Sequence, residues 1–312
     1  MDYPLILLNK HPDLVSVMKA TEHNSPYHLE GSIWTHTMMV YSYVKALYSD
    51  NKVLLLSALL HDIGKLEAYS VEDGKTRFFG HEGYSTFMAR EVLKDEDCTR
   101  QELIDILNVI SLHGVNTEQL QDIPYLSMFR KADIGGRISE KETTDYAPRK
   151  FLKPCKEPEH TVTILVGLPC SGKSTFAKTL NCKIISRDDE LVKFSPGKDY
   201  DESYTNLREN PELKQKFDNY FSSYLDKASK TRGDLIIDMT MLSLSDRRRM
   251  MGHFPKAQFK CVILLPSLDL ISERQNARVG KTISENVYIH MMQKFVMPVK
   301  AEGFIDIKYI LE

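Results

Sequence analysis

Residues 167–174 read GLPCSGKS, a full match to the spacing G-x-x-x-x-G-K-[ST]. Glycines so placed let the backbone fold its N–H groups around a phosphate, and a helix starting at the lysine adds a favourable dipole. Gly167, Gly172, Lys173 and Ser174 are therefore predicted to cradle ATP or another nucleoside triphosphate, with Ser171 and Thr175 completing the set. In this pattern the lysine reaches the β- and γ-phosphates and the Ser174 hydroxyl ligates Mg²⁺. The β-branched run Thr161–Val166 precedes the loop and a helical pattern, Lys173–Leu180, follows it, which is the context the motif requires. The bland alternative, a glycine turn that binds nothing, leaves that context unexplained.

A triphosphate site does not name a reaction. The next short strand ends at Ser186 and delivers Arg187-Asp188-Asp189 to the ligand side of an open α/β sheet. A carboxylate there can accept the proton of an attacking hydroxyl, and Asp188 is the expected base, an N-cap role being the rival reading. Asp238 closes the strand DLIID, where it could orient an acceptor or sit as a turn residue. Arg274 and Arg278 stand four apart in SERQNARVGK, on one face of an expected helix, where they could neutralise a transferring phosphoryl group.

A second set of chemistry-bearing residues lies upstream. Of ten histidines, His36 falls on a long helical pattern, His61-Asp62 opens HDIGK after LLLSALL, His81 sits in FFGHEGYS and His113 in ISLHG, with Asp133 in FRKAD. Single histidines of this kind are ordinary; the set is not. Aimed into one cavity, imidazole and carboxylate donors suit Mn²⁺, Fe²⁺, Co²⁺, Ni²⁺ or Zn²⁺, and such an ion makes a water nucleophilic at neutral pH. His61 and Asp62 are adjacent, so a local helix distortion is needed for both to reach one ion. Lys65, one turn on, could stabilise a phosphate or protonate a leaving oxygen. His11, His23, His28, His160, His253 and His290 fit no pattern and are read as ordinary histidines. Arg77 reads as a solvated loop charge.

These residues need two kinds of scaffold. Residues 1–140 read as helices: Ile33–Tyr48, Val53–Leu60, Gly83–Leu93, Arg100–Leu112 and Tyr125–Asp133, without alternating strand pattern. Residues 141–160 carry three prolines and read as a linker, basic over Arg149–Lys156. Residues 161–312 alternate short strands (Thr161–Val166, Lys183–Ser186, Asp234–Asp238, Lys260–Leu265, Ile307–Leu311) with helices such as Pro211–Ser229 and Ser284–Val296. That alternation implies a parallel sheet flanked by helices.

Composition agrees with a globular protein of two domains: 312 residues, 42% hydrophobic and 27% charged. A net charge of −2 excludes a global basic field, so any nucleic-acid contact must be local. No run is long enough to span a membrane, and the N-terminus does not read as a secretory signal. Five cysteines without a C-x-x-C pair argue against disulfides and zinc ribbons, leaving a reducing cytoplasm as the expected compartment.

The strand–GxxxxGKS–helix, the RDD and the R-x-x-x-R resemble the phage-type polynucleotide 5′-kinase. That resemblance assigns Lys173 and Ser174 to ATP and metal, Asp188 to the general base, and Arg274 and Arg278 to the donor phosphates. The family carries an acceptor-contacting arginine three residues after the base; here that position is Leu191, with Lys193 two residues further. The arrangement H…HD…H…H…D resembles the HD phosphohydrolase superfamily, with HDIGK and GHEG especially like transfer-RNA end-processing enzymes. It assigns His36, His61, Asp62 and Asp133 to the metal, and His81 and His113 to a second metal or to phosphate, leaving open which. An all-α HD domain fused ahead of an α/β P-loop phosphotransferase resembles the HD-Pnk family of nucleic-acid end-healing enzymes. The resemblance implies removal of a 2′,3′-cyclic or 2′-phosphate, transfer of the ATP γ-phosphate to a 5′-hydroxyl, RNA or DNA ends as partners and a ligase downstream. Two other readings fit the same residues: a nucleotidase fused to a nucleoside or metabolite kinase, and a non-catalytic nucleotide-gated nucleic-acid-binding module. The HD domain could also act as a nuclease.

Overall fold

The computed structural model describes residues 3–72, 75–115, 120, 122–140, 155–195, 199–231, 233–278 and 283–312. It divides into two compact units, Met1–Lys150 with Ile289–Met297, and Phe151–Tyr288 with Pro298–Glu312. Most of the expected linker, residues 141–154, lies outside the described residues, including the basic stretch up to position 154. Among the described residues no helix is long and apolar enough to cross a membrane.

The first unit is helical: α1 (Tyr3–Lys10), α2 (Pro12–Ala20), α3 (Ile33–Tyr48), α4 (Lys52–Leu60), α5 (His81–Val92), α6 (Arg100–Leu112) and α7 (Leu126–Gly135). Helix α4 is the hub. Its residues Val53–Leu60 are all buried, so it carries no polar face and packs against α3, α6 and α7 together. Side-chain caps set where the helices start: Ser32 accepts from the Thr35 N–H, Asn51 from Leu54, and Thr99 forms a reciprocal box with Glu102. A hairpin of two three-residue strands, β1 (Ser70–Glu72) and β2 (Lys75–Arg77), interrupts the helices where none was expected, too short to leave a period-two signature.

The second unit contains β3 (His160–Val166), α8 (Lys173–Lys178), β4 (Lys183–Ser186), α9 (Arg187–Phe194), α10 (Tyr200–Glu209), α11 (Pro211–Ala228), β5 (Leu235–Asp238), α12 (Leu244–Gly252), β6 (Ala257–Leu264), α13 (Leu268–Asn276) and β7 (Phe304–Ile310), and α14 (Glu285–Gln293) is divided between the units after Tyr288. All the neighbouring strands pair parallel, in the order β4-β5-β3-β6-β7. The chain leaves central β3 for the β4 side and later returns to fill the β6 side, so the order reverses beside the carboxyl end of β3, the place where open α/β sheets bind ligands. Leu165, Ile236, Val262 and Leu264 from the strands pack with Ala177 of α8 as a core that holds the loop after β3 in place.

Ile289–Met297 departs from the expected extent of the second domain. Phe295 packs its ring 4.9 Å from Phe87, and the Met297 N–H donates to Ser111 Oγ at 2.8 Å, so apolar burial assigns this stretch to the helical unit.

Candidate functional site

In the helical unit, His36 comes from the buried face of α3 and Asp133 from α7, while His113 follows the last residue of α6 and His81 opens α5. His61 ends α4 in helical conformation (φ −61°, ψ −33°), but Asp62 turns to φ −108°, ψ 3° and a 3₁₀ turn, Ile63–Leu66, follows. That break swings two consecutive side chains to the same side, which a continuous α-helix forbids. Gly64 permits it: a Cβ there would lie 2.4 Å from the His81 carbonyl oxygen and the Ser85 nitrogen, so only glycine lets this turn lie against α5.

The side chains converge. His36 Nε2 lies 3.1 Å from Asp133 Oδ1 and 3.4 Å from His61 Nε2. Asp62 faces both halves of the cluster: Oδ2 is 3.2 Å from His61 Nε2 and 3.6 Å from His36 Nε2, while Oδ1 is 3.3 Å from His81 Nε2 and 4.0 Å from His113 Nε2. Two donor groups result, His36–His61–Asp133 and Asp62–His81–His113.

Every one of the four Nε2 atoms points inward because each Nδ1 is held from outside. His61 Nδ1 donates to the Ala58 carbonyl at 3.0 Å, His81 to Phe78 at 2.9 Å and His113 to Ile110 at 2.7 Å, and His36 Nδ1 lies 2.8 Å from Glu30 Oε1. This is how proteins fix imidazole tautomers for a metal. Neither buried Asp62 oxygen receives a hydrogen bond of good geometry, although the Lys65 ammonium stands 2.7 Å from Oδ2. A buried carboxylate left so is costly unless a cation completes it, so the donors present fit a divalent ion of the imidazole-preferring kind.

The electrostatics agree. Burial opposes ionisation of Asp62 and Asp133, yet the charges of His61 and Lys65 hold Asp62 well below the carboxylate range, and the His36 hydrogen bond with the Arg137 charge does the same for Asp133. His36 is pushed up against its own burial by hydrogen bonds to Asp133 and Glu30. His113 is lowered to about 4 by burial and by its histidine neighbours, so its ring is neutral and available as a ligand at neutral pH.

A third group was missed by sequence reasoning. His23 and His28, read as ordinary histidines, stack at 4.2 Å beside His36, and Glu30 Oε1 lies 2.8 Å from both His28 Nδ1 and His36 Nδ1. His23 Nδ1 donates to the Gly31 carbonyl at 3.2 Å, and its Nε2 accepts from Lys65 Nζ at 3.0 Å. Burial lowers His23 to about 2 and His28 to about 4, which keeps both neutral. The segment is irregular and has no period to betray it; the one available signal was His28-x-Glu30 shortly before a capping serine. Glu30→Gln is expected to weaken metal affinity about 10- to 100-fold with the fold retained, measured by titration against a competing chelator.

In the α/β unit, the loop 167–172 leaves β3 and enters α8 through Gly172 at φ 97°, a conformation that favours glycine. Lys173 is buried, its Nζ donating to the carbonyls of Gly167 (2.9 Å) and Leu168 (2.6 Å) and approaching Ser171 Oγ at 3.4 Å. Burial lowers its ammonium to about 8 against the opposing pull of Asp238. Asp238 is level with Ser186 in the β4–β5 register, one residue before Arg187-Asp188, so both carboxylates reach the carboxyl edge of the sheet. Ser174 and Thr175 are exposed at the start of α8. Ser186 is the N-cap of α9, accepting from the Asp189 N–H, so neither aspartate has the capping role.

Arg274 and Arg278 both reach the phosphate loop, Nη1 of Arg274 lying 3.3 Å from the Cys170 carbonyl and Nη1 of Arg278 3.8 Å from Cys170 Sγ. The expectation that both lie on one helix face is corrected: α13 ends at Asn276, where the Ala277 N–H closes a tightened last turn on Glu273 and Gln275, and Arg278 reaches the loop from beyond it. Leu191, at the position of the family's acceptor arginine, is buried in the core and Lys193 pairs with Glu190 at 2.7 Å.

ATP binding should carry the signature of Lys173. Triphosphate stabilises the ammonium, so binding raises a pKa that starts at about 8. Affinity is expected to be flat below pH 8 and to fall above it by up to about tenfold per unit until the bound pKa is passed, a slope that calorimetry on Lys173→Arg should not show because guanidinium stays charged.

Residues 33–143 match the family model of the HD domain and residues 162–298 that of an AAA domain. Solved structures similar to the chain include a sugar kinase from Janibacter (16% identity, 48% of this chain and 84% of that one, TM-score 0.33) and a gluconokinase from Sinorhizobium meliloti (18% identity, 52% and 83%, TM-score 0.32). Likeness at that level carries no argument about substrate. One chain thus carries a segment that matches the HD domain ahead of a segment that matches an AAA domain.

Proposed function

We propose that the chain is a bifunctional nucleic-acid end-healing enzyme. Its HD domain hydrolyses 2′,3′-cyclic phosphate or 2′-phosphate ends, and its P-loop domain transfers the γ-phosphate of ATP to a 5′-hydroxyl end. The observation that carries this reading is the presence in one chain of a six-residue His/Asp cluster and a phosphate loop approached by two arginines. The restriction to nucleic-acid ends rests on the likeness of HDIGK and GHEG to transfer-RNA end-processing enzymes, of RDD and R-x-x-x-R to the phage-type polynucleotide 5′-kinase, and of their fusion to the HD-Pnk family.

His36, His61, Asp62 and Asp133 would hold one divalent ion, and Asp62 with His81 and His113 a second. When bound, such ions supply the Lewis acidity that makes a water nucleophilic at neutral pH. Lys65, clamped between Asp62 and His23, offers a proton on the side facing the cluster, where a phosphate oxygen or leaving group would sit. In the second domain Ser174 would ligate Mg²⁺. Lys173, Arg274 and Arg278 neutralise the triphosphate, and Asp188 takes the proton of the attacking 5′-hydroxyl.

An RNA bearing a 5′-hydroxyl and a 2′,3′-cyclic phosphate, incubated with ATP, Mg²⁺ and Mn²⁺, tests both halves when each end is read separately. A new 5′-phosphate and a freed 3′ end are expected. Labelling confined to free nucleosides or sugars would replace this reading with the small-molecule one, and internal cleavage would make the HD domain a nuclease.

A further inference from the structure

Among the described residues of α9, the cations that could recognise an acceptor have other partners, and the position three after Asp188 is apolar. Leu191 is buried at 2% exposure. Arg187 is held by Asp218 at 2.5 Å and lies 4.7 Å over the Phe217 ring, and Lys193 is paired with Glu190. What does meet Asp188 is aromatic. The Tyr200 hydroxyl donates a hydrogen bond to the Asp188 carboxylate, and the charge of Arg278 also acts on it. One helical turn along α10, the Tyr204 ring lies nearly parallel to it, 5.8 Å between centroids and 16° between planes. Tyr204 is 48% exposed.

We propose that the Tyr200–Tyr204 pair is the acceptor subsite: Tyr204 stacks on the 5′-terminal nucleobase, and Tyr200 is a positioning residue that orients Asp188 toward the 5′-hydroxyl. The inference rests on the polynucleotide-kinase reading given above and names how that acceptor is held. Tyr200 is at the first turn of α10, whose N-cap Asp199 accepts from the Glu202 N–H, so the helix start is fixed and the two rings share one face at i and i+4. Burial raises the Tyr200 phenol above its ordinary range, so it stays a donor through the working pH. With one Asp188 oxygen engaged by that donor, the other is oriented for the acceptor hydroxyl. The proton passes to this oxygen as the 5′-oxygen bonds to the γ-phosphorus and the bond to the β,γ-bridging oxygen breaks, releasing ADP. A base stacked on Tyr204 would fix the ribose carrying that hydroxyl. Because aromatic stacking accepts any base, the subsite is blind to sequence.

The test is steady-state 5′-phosphorylation of a 5′-hydroxyl oligonucleotide by the full chain. Tyr204→Ala is expected to raise the acceptor KM on the order of tenfold with kcat and the ATP KM within twofold, and Tyr204→Phe and Tyr204→Trp to restore it, since only the ring face is used. Tyr200→Phe is expected to lower kcat on the order of tenfold and leave the acceptor KM unchanged. An acceptor lacking its 5′-terminal base should raise the wild-type KM to the Tyr204→Ala level and affect Tyr204→Ala no further. An unchanged ATP affinity certifies that the variants are folded. If wild-type enzyme phosphorylates the end but Tyr204→Ala keeps the parent KM, or Tyr204→Phe loses as much as Tyr204→Ala, the subsite is overturned and the kinase reading stands. A wild-type enzyme inactive on 5′-hydroxyl ends overturns both.

Discussion

Replacing Asp62 by asparagine is expected to lower phosphohydrolase turnover by about a thousandfold or more while 5′-phosphorylation stays within about twofold of the parent. Asp62 faces both donor groups, with one oxygen toward His36 and His61 and the other toward His81 and His113. Asparagine keeps the shape but removes the charge that Lys65, His61 and His81 are arranged around. Metal content after dialysis against a weak chelator reads the effect directly: two equivalents are expected in the parent and loss of both in the variant. Loss of one equivalent would show that Asp62 serves a single ion, and equal loss of hydrolase and kinase activities would show that the two domains do not work independently.

The second large effect concerns Asp188. Asp188→Asn is expected to reduce phosphoryl transfer about 10²- to 10⁴-fold, the usual worth of a positioned general base, with ATP affinity unchanged. The separation follows from placement. The groups proposed to hold the triphosphate, Lys173 and the loop after β3 with Arg274 and Arg278, lie on other elements than Asp188, which sits in the first turn of α9. Calorimetric ATP titration alongside single-turnover phosphorylation measures the two separately. Turnover surviving in the variant would move the base to Asp238, the other carboxylate at that edge of the sheet and the main charge acting on Lys173.

The two fold classes, the helices from Ile33 to Leu112 and the strand–loop–helix around GLPCSGKS were legible in the order of residues, because apolar period, caps and glycine spacing are local properties. The same holds for the residue types that converge: five of the six cluster members sit at or beside helix ends, which pattern alone locates. Their meeting is a matter of packing. His36 and Asp133 are 97 residues apart in the chain, and only α3 and α7 packing on one buried helix brings Nε2 and Oδ1 to 3.1 Å. The turn at Asp62 likewise depends on Gly64 lying against α5, a contact invisible from HDIGK itself. His23, His28 and Glu30 went unread because an irregular segment has no period, and hydrogen bonds to Lys65 and His36 are what distinguish them. Arg278 acts from outside the helix assigned to it, since a helix end is set by its last hydrogen bonds and not by the spacing of its arginines. Local order along the chain thus determines which elements form and which chemistry they carry; burial of apolar faces between distant elements decides which side chains come within reach of one another.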